Sequence, residues 1–540
     1  MTALTQVEKE SVKPLASREM DSLQRRTAAE QTLGSRLADC LAATPLAPAI
    51  GMGGVGENEQ GMSEQDTGEA GPGAWLNYGE LSLRVGQIAA RLQGLAVGER
   101  VGLYLARGPD LVASLLACLR LGLTFVPLEP DFPVERLQGI ARQARLSAVI
   151  CDGHGDVPAF GCPLRSLAGL GHAGAATVQW PNATVQWPNV DDALAAYMMF
   201  TSGSTGEPKG VVISRRALLC FLDGIRERLG LSPNSHWLFI TTPAFDISLL
   251  EMLGPLWGGG RLTVAGGEHN KDPLGMMALL EADPSINFLQ ATPACWRMLL
   301  KAGWQGREHL TALCGGEALD SGLAEQLCSR TQRLWNCYGP TEATVWSLVS
   351  EVRWPPAEGQ ITISHSLPGY RHWVLDEVGL PVSEGECGEL CIESPALCEG
   401  YWRKPALTSA AFLRVDTHRL YRTGDRVRRL GADRFLYLGR RDDQVKLRGF
   451  RIELGEVEAG LRRQPGVQEA AVRLVGEGDE AMLVGYVEAK AGVTLNRLAL
   501  RKGLQATLPH YMVPARILLL DALPKTGSGK LDRKALPLPE

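Results

Sequence analysis

The stretch YMMFTSGSTGEPKGVVIS, residues 197–214, follows an apolar run with hydroxyls, glycines and one lysine. Successive backbone N–H groups in a glycine-rich turn form a concavity that accepts an anion. Thr201, Ser202, Ser204 and Thr205 would add hydroxyl donors around Gly203, and Lys209 a positive charge. Residues 201–210 are therefore suited to wrapping phosphate oxygens. The spacing GxxxxGK is absent, so this is not a Walker A loop. On its own, the stretch reads more often as a surface turn, because Gly, Ser, Thr and Pro are the usual turn formers.

Other stretches carry isolated groups of the same interest. NCYGPTEATVW (336–346) holds a glutamate, YRTGDR (421–426) an aspartate, and LPKTGSGKLDRKAL (523–536) a lysine near the end of the chain. Each has a plain structural reading: a charge at a helix N-terminus, a turn residue, a solvated lysine. Asp246 in FDIS equally reads as an N-cap for the apolar run ISLLEMLGPLW.

The elements that must position these groups alternate. LSLRVGQIAARLQGL has helical periodicity, GERVGLYL reads as a strand, PDLVASLLACLRLG as a helix, and TFVPLEP and LSAVICD as strands. This alternation predicts α/β layers around a parallel sheet, continuing from Ala193 to about Leu438. Beyond GRRDDQ the character changes. VKLRGFRIELGEVEAGLRRQPGVQEAAVRLV reads as strand, helix, strand, EAMLVGYVEA as another strand and NRLALRKGLQATLP as a helix, a compact α+β unit of about a hundred residues, an ordinary size for a small domain. The predicted organisation is a tail or linker at 1–30, a large layered α/β domain at 31–441 and a small mobile α+β domain at 442–540. Residues 52–73 and 172–190 are predicted as surface loops; the second contains the heptad ATVQWPN twice, at 176–182 and 183–189. Gly51, Gly53 and Gly56 fit GxGxxG, but no amphipathic helix follows, which excludes a dinucleotide site there.

Composition narrows the classes. The chain has 540 residues, 45% hydrophobic and 21% charged, with a net charge of -5. No basic run with interleaved aromatics points to nucleic acid. The charged first residues lack an apolar core for a secretory signal. The most apolar stretch is broken by Arg120 and Pro127, too short to span a bilayer. The expectation is a soluble cytoplasmic protein. The 12 cysteines form no CxxC pair, and Cys387, Cys391 and Cys398 have no zinc-module spacing, so reduced thiols are expected.

Taken in order, SGSTGEPKG, FDIS, NCYGPTEATVW, YRTGDR, GRRDDQVKLRGFRIELGEVE and TGSGK resemble the adenylation domains of nonribosomal peptide synthetases, within the wider family of adenylate-forming enzymes. The resemblance covers roughly residues 31–537, with further matches in LNYGELS, TFVPLEPDFPVERL, GELCIESPALCEGYW and LPHYMVPAR. It implies that ATP activates a carboxylic acid as an acyl-adenylate, which then passes to the phosphopantetheine thiol of a carrier protein. By resemblance, the loop at 201–210 and the glycines Gly316 and Gly339 border the nucleotide. Tyr338 stacks on adenine and Asn336 bonds its amino edge. Thr341 touches the α-phosphate, Glu342 helps hold Mg²⁺, Asp425 accepts the ribose hydroxyls and Arg440 supports ribose or phosphates. Lys530 is the catalytic group, a compact ammonium bridging substrate carboxylate, ribose and α-phosphate. Asp442 is the hinge about which the small domain swings.

The same resemblance places Asp246 against a substrate α-ammonium. The pocket positions Asp246, Ile247, Leu250, Gln290, Leu313, Gly315, Cys337, Val345 and Trp346, with Lys530, resemble a glycine-type pattern, Cys337 departing from the commoner aliphatic residue. No other charge faces the side-chain space, and Trp346, with Leu250 and Leu313, is expected to fill it. Glycine is the expected substrate and alanine the expected leak. No GGxS attachment site follows residue 530 and no HHxxxD occurs, so the carrier is expected in trans or from a further domain. Some relatives need an MbtH-like accessory protein. Two rival readings remain: an acyl-CoA synthetase for a small acid, which Asp246 disfavours, and a catalytically silent nucleotide-binding protein, which Lys530, Glu342 and Asp425 disfavour.

Overall fold

In the strand His236–Phe239, Trp237 and Phe239 join one apolar core while Leu238 joins another. Leu313, between Ala312 and Cys314 in the strand Arg307–Gly315, splits the same way. Strands buried on both faces read as unbroken apolar runs, and they need helices on both sides. The computed structural model describes residues 31–53, 75–153, 155–170, 187–203, 206–266, 272–356, 359–415, 417–476, 478–526 and 531–539, and supplies those helices.

An eight-stranded sheet runs in the order Leu348–Val352, Thr331–Tyr338, Arg307–Gly315, Phe288–Ala291, His236–Phe239, Arg261–Ala265, Pro48–Gly53 and Trp75–Asn77. Its neighbours are parallel except at the two ends. A seven-stranded sheet has Thr124–Pro127, Arg100–Tyr104, Ala148–Cys151 and Ala195–Thr201 in parallel, closed on one side by the antiparallel strand Lys209–Ser214. The helices Tyr78–Arg91, Pro109–Leu121, Arg215–Leu229 and Ser248–Trp257 lie between the two sheets, in the largest core. The helices Pro273–Ala282, Pro293–Lys301 and Ser321–Cys328 cover the outer face of the first sheet, and Val134–Ala144 covers that of the second. A six-stranded antiparallel sheet built around His418–Gly431 completes the large unit. The layered α/β class expected from the sequence is the class observed.

The chain then leaves the strand Arg434–Arg440 for a separate core. The single strand expected over VKLRGFRIE is a hairpin, Gln444–Leu447 against Phe450–Glu453. Arg448 and Gly449 turn it with φ of 53° and 85°, the left-handed pair that two-residue hairpin turns require. The helix Leu454–Arg462 follows, with a three-stranded sheet of Val467–Val475, Met482–Ala489 and Arg516–Leu520. One loop boundary also moves: Met52 and Gly53, expected to open a loop, still belong to the strand Pro48–Gly53, paired with Val264 and Ala265. Residues 1–30 and the first ATVQWPN copy lie outside the described residues, as does most of the second. All 12 cysteines are free thiols, and no described helix is long and apolar enough to cross a membrane.

Candidate active site

Loops at the C-terminal ends of parallel strands are where open α/β sheets hold ligands. Here those loops follow His236–Phe239, Arg307–Gly315 and Thr331–Tyr338, and Asp246, Ile247, Gly316, Tyr338, Gly339, Thr341 and Trp346 line one cleft between them. Asp425 and Arg440 enter from the antiparallel sheet, and Gln444, Lys446, Gly449 and Arg451 from the hairpin.

Asp246 is 3% exposed, and its Oδ2 has no hydrogen-bond partner among the described residues. Burial pushes the carboxyl up to about 6, against the Thr341 hydroxyl and the Ile247 N–H that favour its anion. It does not cap the following helix: Ile247 holds that position without a side-chain cap. An unpartnered buried carboxylate oxygen is costly unless a ligand completes it.

Beyond Asp246 the cleft ends on Trp346. Its indole N–H donates to Gln290 Oε1 at 2.9 Å, and Gln290 Nε2 donates to the Ile247 carbonyl and to Glu251 Oε1, each at 2.9 Å. Glu251, fully buried, also accepts the N–H groups of Ile240 and Thr241 at 2.9 and 3.0 Å. A Cβ on Gly315 would lie 2.5 Å from the Trp346 ring, and one on Gly339 only 2.4 Å from the Val345 carbonyl. Both glycines are what lets the indole lie there. Thr344 and Val345 have φ of 55° and 69°; a β-branched residue in that region is strained, at ~1–3 kcal/mol. Leu250, Leu313, Cys337 and Val345 are buried in the core behind the cleft wall, and Gln290 is buried behind Trp346.

At the other end of the cleft, the Tyr338 hydroxyl donates to Asp425 Oδ2 at 2.5 Å and Arg440 Nη1 to Asp425 Oδ1 at 2.8 Å. Arg440 also grips both oxygens of Asp442 at 2.7 Å. Asn336 donates its amide to the Thr362 carbonyl at 3.0 Å, leaving its Oδ1 as the acceptor. Lys446 Nζ sits 5.7 Å over the Tyr338 ring, and burial lowers its pKa.

Glu342 is fully buried. Its Oε1 accepts the Tyr401 hydroxyl and its Oε2 accepts Arg451 Nη1, both at 2.7 Å. Burial alone would raise this carboxyl, but Arg451 and Lys209 outweigh it and hold it at about 2. A single carboxylate suits a hard cation that brings most of its oxygen ligands with a polyphosphate. Ser202 and Lys209 meet the hairpin and Gly203 meets the helix that follows it, while the buried Thr201 hydroxyl has no partner among the described residues; Ser204, Thr205 and Lys530 lie outside the described residues.

Individually unforeseen were Glu251, Arg136, Tyr401, Lys446, Arg451, Glu453 and Glu456. For the hairpin residues a signal existed. QVKL and FRIE alternate polar and apolar, and the observed register sets Gln444 opposite Glu453 and Lys446 opposite Arg451 on one face.

Residues 60–402 match the family model of the AMP-binding enzyme, and residues 456–530 that of the AMP-binding enzyme C-terminal domain. The chain is 36% identical over 479 residues to the dimodular nonribosomal peptide synthase of Bacillus subtilis (strain 168), across 86% of this chain and 20% of that protein. It resembles the structure of holo-AB3403, a four-domain nonribosomal peptide synthetase bound to AMP and glycine, with 37% identity and a TM-score of 0.66 over 95% of this chain and 37% of that one. It also resembles holo-PA1221, a protein containing adenylation and PCP domains bound to a vinylsulfonamide inhibitor, with 26% identity and a TM-score of 0.78 over 94% and 84% of the two chains. The chain spans a fifth or less of the length of the first curated relatives it matches. It belongs to the AMP-binding enzymes, and its likeness there is to the adenylation domains of nonribosomal peptide synthetases, which are AMP-forming ligases.

Proposed function

We propose that the protein activates glycine with ATP as glycyl-AMP and passes the glycyl group to the phosphopantetheine thiol of a carrier protein. The observation that carries the amino-acid assignment is the unpartnered Oδ2 of buried Asp246. A substrate α-ammonium completes it with a charge-assisted hydrogen bond. The choice of glycine rests on Trp346, held by Gln290 beside Gly315, an indole that would narrow the space beyond Asp246. The glycine bound to the 37%-identical relative supports the same reading.

In the first half-reaction the amino-acid carboxylate attacks the α-phosphorus of ATP and pyrophosphate leaves. The nucleophile is already ionised, so catalysis consists of positioning and of neutralising negative charge. Asp425, held between Tyr338 and Arg440, fixes the ribose; Tyr338 stacks on adenine; Asn336 Oδ1 accepts from the adenine amino group. Gly316, Gly339 and Thr341 border the nucleotide and α-phosphate, and the loop from Thr201 to Lys209 binds the outer phosphates. Glu342 is the protein group for Mg²⁺, which supplies charge neutralisation on the phosphates when bound. Lys530 bridges carboxylate, ribose and α-phosphate as charge builds.

In the second half-reaction the carrier thiol attacks the glycyl carbonyl and AMP leaves. The pose observed, with the hairpin in the cleft, fits this second step. We assign residues 31–441 to the large domain and 442–540 to the small one, with Asp442, paired here with Arg440, as the hinge. The test is amino-acid-dependent pyrophosphate exchange across the proteinogenic amino acids, with and without a carrier. Preference for a bulky or charged amino acid over glycine overturns the assignment, and exchange with an amine-free acid would favour an acyl-CoA synthetase.

A further inference from the structure

The small unit contacts four of the groups assigned above to polyphosphate and metal: Glu342, Lys209, Gly203 and Ser202. Arg451 Nη1 reaches Glu342 Oε2 at 2.7 Å. Lys209 Nζ lies 3.5 Å from Glu453 Oε1. The Gly203 N–H donates to Glu456 Oε2 at 3.0 Å, while Arg136 holds the other oxygen of Glu456 at 2.7 Å. The Ser202 hydroxyl donates to the Arg451 carbonyl at 2.8 Å and accepts the Glu453 N–H at 3.1 Å. Glu342, Lys209, Glu453 and Glu456 are all buried.

The contacts match in chemical kind, not only in place. Two carboxylates occupy an ammonium and a loop N–H, the donor types that bind phosphate oxygens. A guanidinium occupies a carboxylate suited to a divalent cation. An interface that merely glued two domains could set its ion pairs anywhere along the contact. Here two of the three described pairs fall on Lys209 of the phosphate loop and on Glu342, and the third, Arg136 with Glu456, holds the carboxylate whose other oxygen takes the Gly203 N–H.

We propose that Arg451, Glu453 and Glu456 form a plug that stands in for magnesium pyrophosphate, so that docking of the hairpin and occupation of the polyphosphate site exclude one another. The proposal rests on the reading of the loop given above and goes beyond it. In the docked pose, pyrophosphate cannot re-enter. The reverse reaction, in which a pyrophosphate oxygen attacks the α-phosphorus of the adenylate and expels the amino-acid carboxylate to re-form ATP, is closed. The plug thus commits the adenylate to the thiol.

Hydrogen exchange on the full chain, read by mass spectrometry without substrate amino acid, tests this. The Gly449 N–H donates to Glu317 at 2.6 Å and the Glu453 N–H to Ser202, so both are protected only while docked. Adding inorganic pyrophosphate with Mg²⁺ should speed exchange in peptides covering 444–453 and leave those covering 467–489 unchanged. The Glu453→Gln/Glu456→Gln variant should exchange faster in the hairpin at the start. By calorimetry it should bind magnesium pyrophosphate at least tenfold more tightly than the parent, and Glu453→Gln alone should move in the same direction. Tight pyrophosphate binding with no change in hairpin exchange would overturn the plug, as would equal affinity in variant and parent. Absence of pyrophosphate binding in both proteins overturns the plug together with the assignment of the loop, whereas the amino-acid panel tests the choice of substrate separately.

Discussion

Asp246 carries a pH dependence that belongs to one residue. Burial raises its folded-state pKa from 3.8 to about 6. Between those values the folded protein without substrate binds more protons than the unfolded chain, so this group's contribution to stability falls as pH rises from about 4 to 6 and is level above. On the proposed reading, a substrate ammonium selects the ionised form. The apparent KM for glycine should therefore rise as pH falls below about 6, approaching tenfold per unit, which exchange kinetics between pH 5 and 8 would measure. Asp246→Asn should lose that pH dependence, and Asp246→Ala should cost ~2–5 kcal/mol in kcat/KM, as expected for removing one partner of a buried charge pair. Trp346 makes the complementary case. Trp346→Phe removes the hydrogen bond to Gln290 and opens space beside Gly315. The alanine-to-glycine ratio of kcat/KM should rise about 10- to 200-fold, the range one methyl commands in a pocket. An unchanged ratio would remove Trp346 as the determinant.

At the scale of elements, what could be read in advance followed from pattern. The apolar strands and amphipathic helices of the large unit were legible because each strand face meets its own helix layer; the cleft groups were singled out by the ordered resemblance, since each alone had a plain structural reading. Glu251 was not. It is one acid in the otherwise apolar helix Ser248–Trp257, and nothing local distinguishes a buried acceptor from a surface charge. Only the tertiary packing shows it bonded to the two backbone N–H groups that end one strand and to Gln290. Glu251→Ala should leave those donors buried and unpaired, at ~1–3 kcal/mol each before any relaxation, and should lower the melting temperature while also loosening Trp346. The hairpin was half legible. Its alternation shows a polar face, but Arg448 at φ 53° reverses the chain where an arginine reads as strand. Asp246 as an N-cap was a sound local reading that lost to a tertiary demand, its carboxylate turning toward the cleft.

At the scale of the whole molecule, the proposed reading gives Lys530 to the first half-reaction and the docked hairpin to the second. The half-reactions should therefore separate by mutation. Lys530→Ala should abolish glycine-dependent pyrophosphate exchange while leaving transfer from supplied glycyl-AMP to the carrier thiol largely intact. Gly449→Ala should do the reverse. A Cβ at Gly449 would lie 2.2 Å from Thr292 Cγ2 of the large unit, and its φ of 85° disfavours alanine as well. The strain acts wherever the hairpin is, at ~1–2 kcal/mol, but the clash with Thr292 exists only when the hairpin is docked. Transfer should fall at least tenfold more than exchange. Stopped-flow adenylation and single-turnover loading of a carrier, run on the same preparations, give both rates. If Gly449→Ala slowed the two steps equally, the hairpin's place in the cleft would have no separate role in transfer. The contacts of Arg451 with Glu342 and of Lys209 with Glu453 would then be domain packing rather than a stage in the reaction.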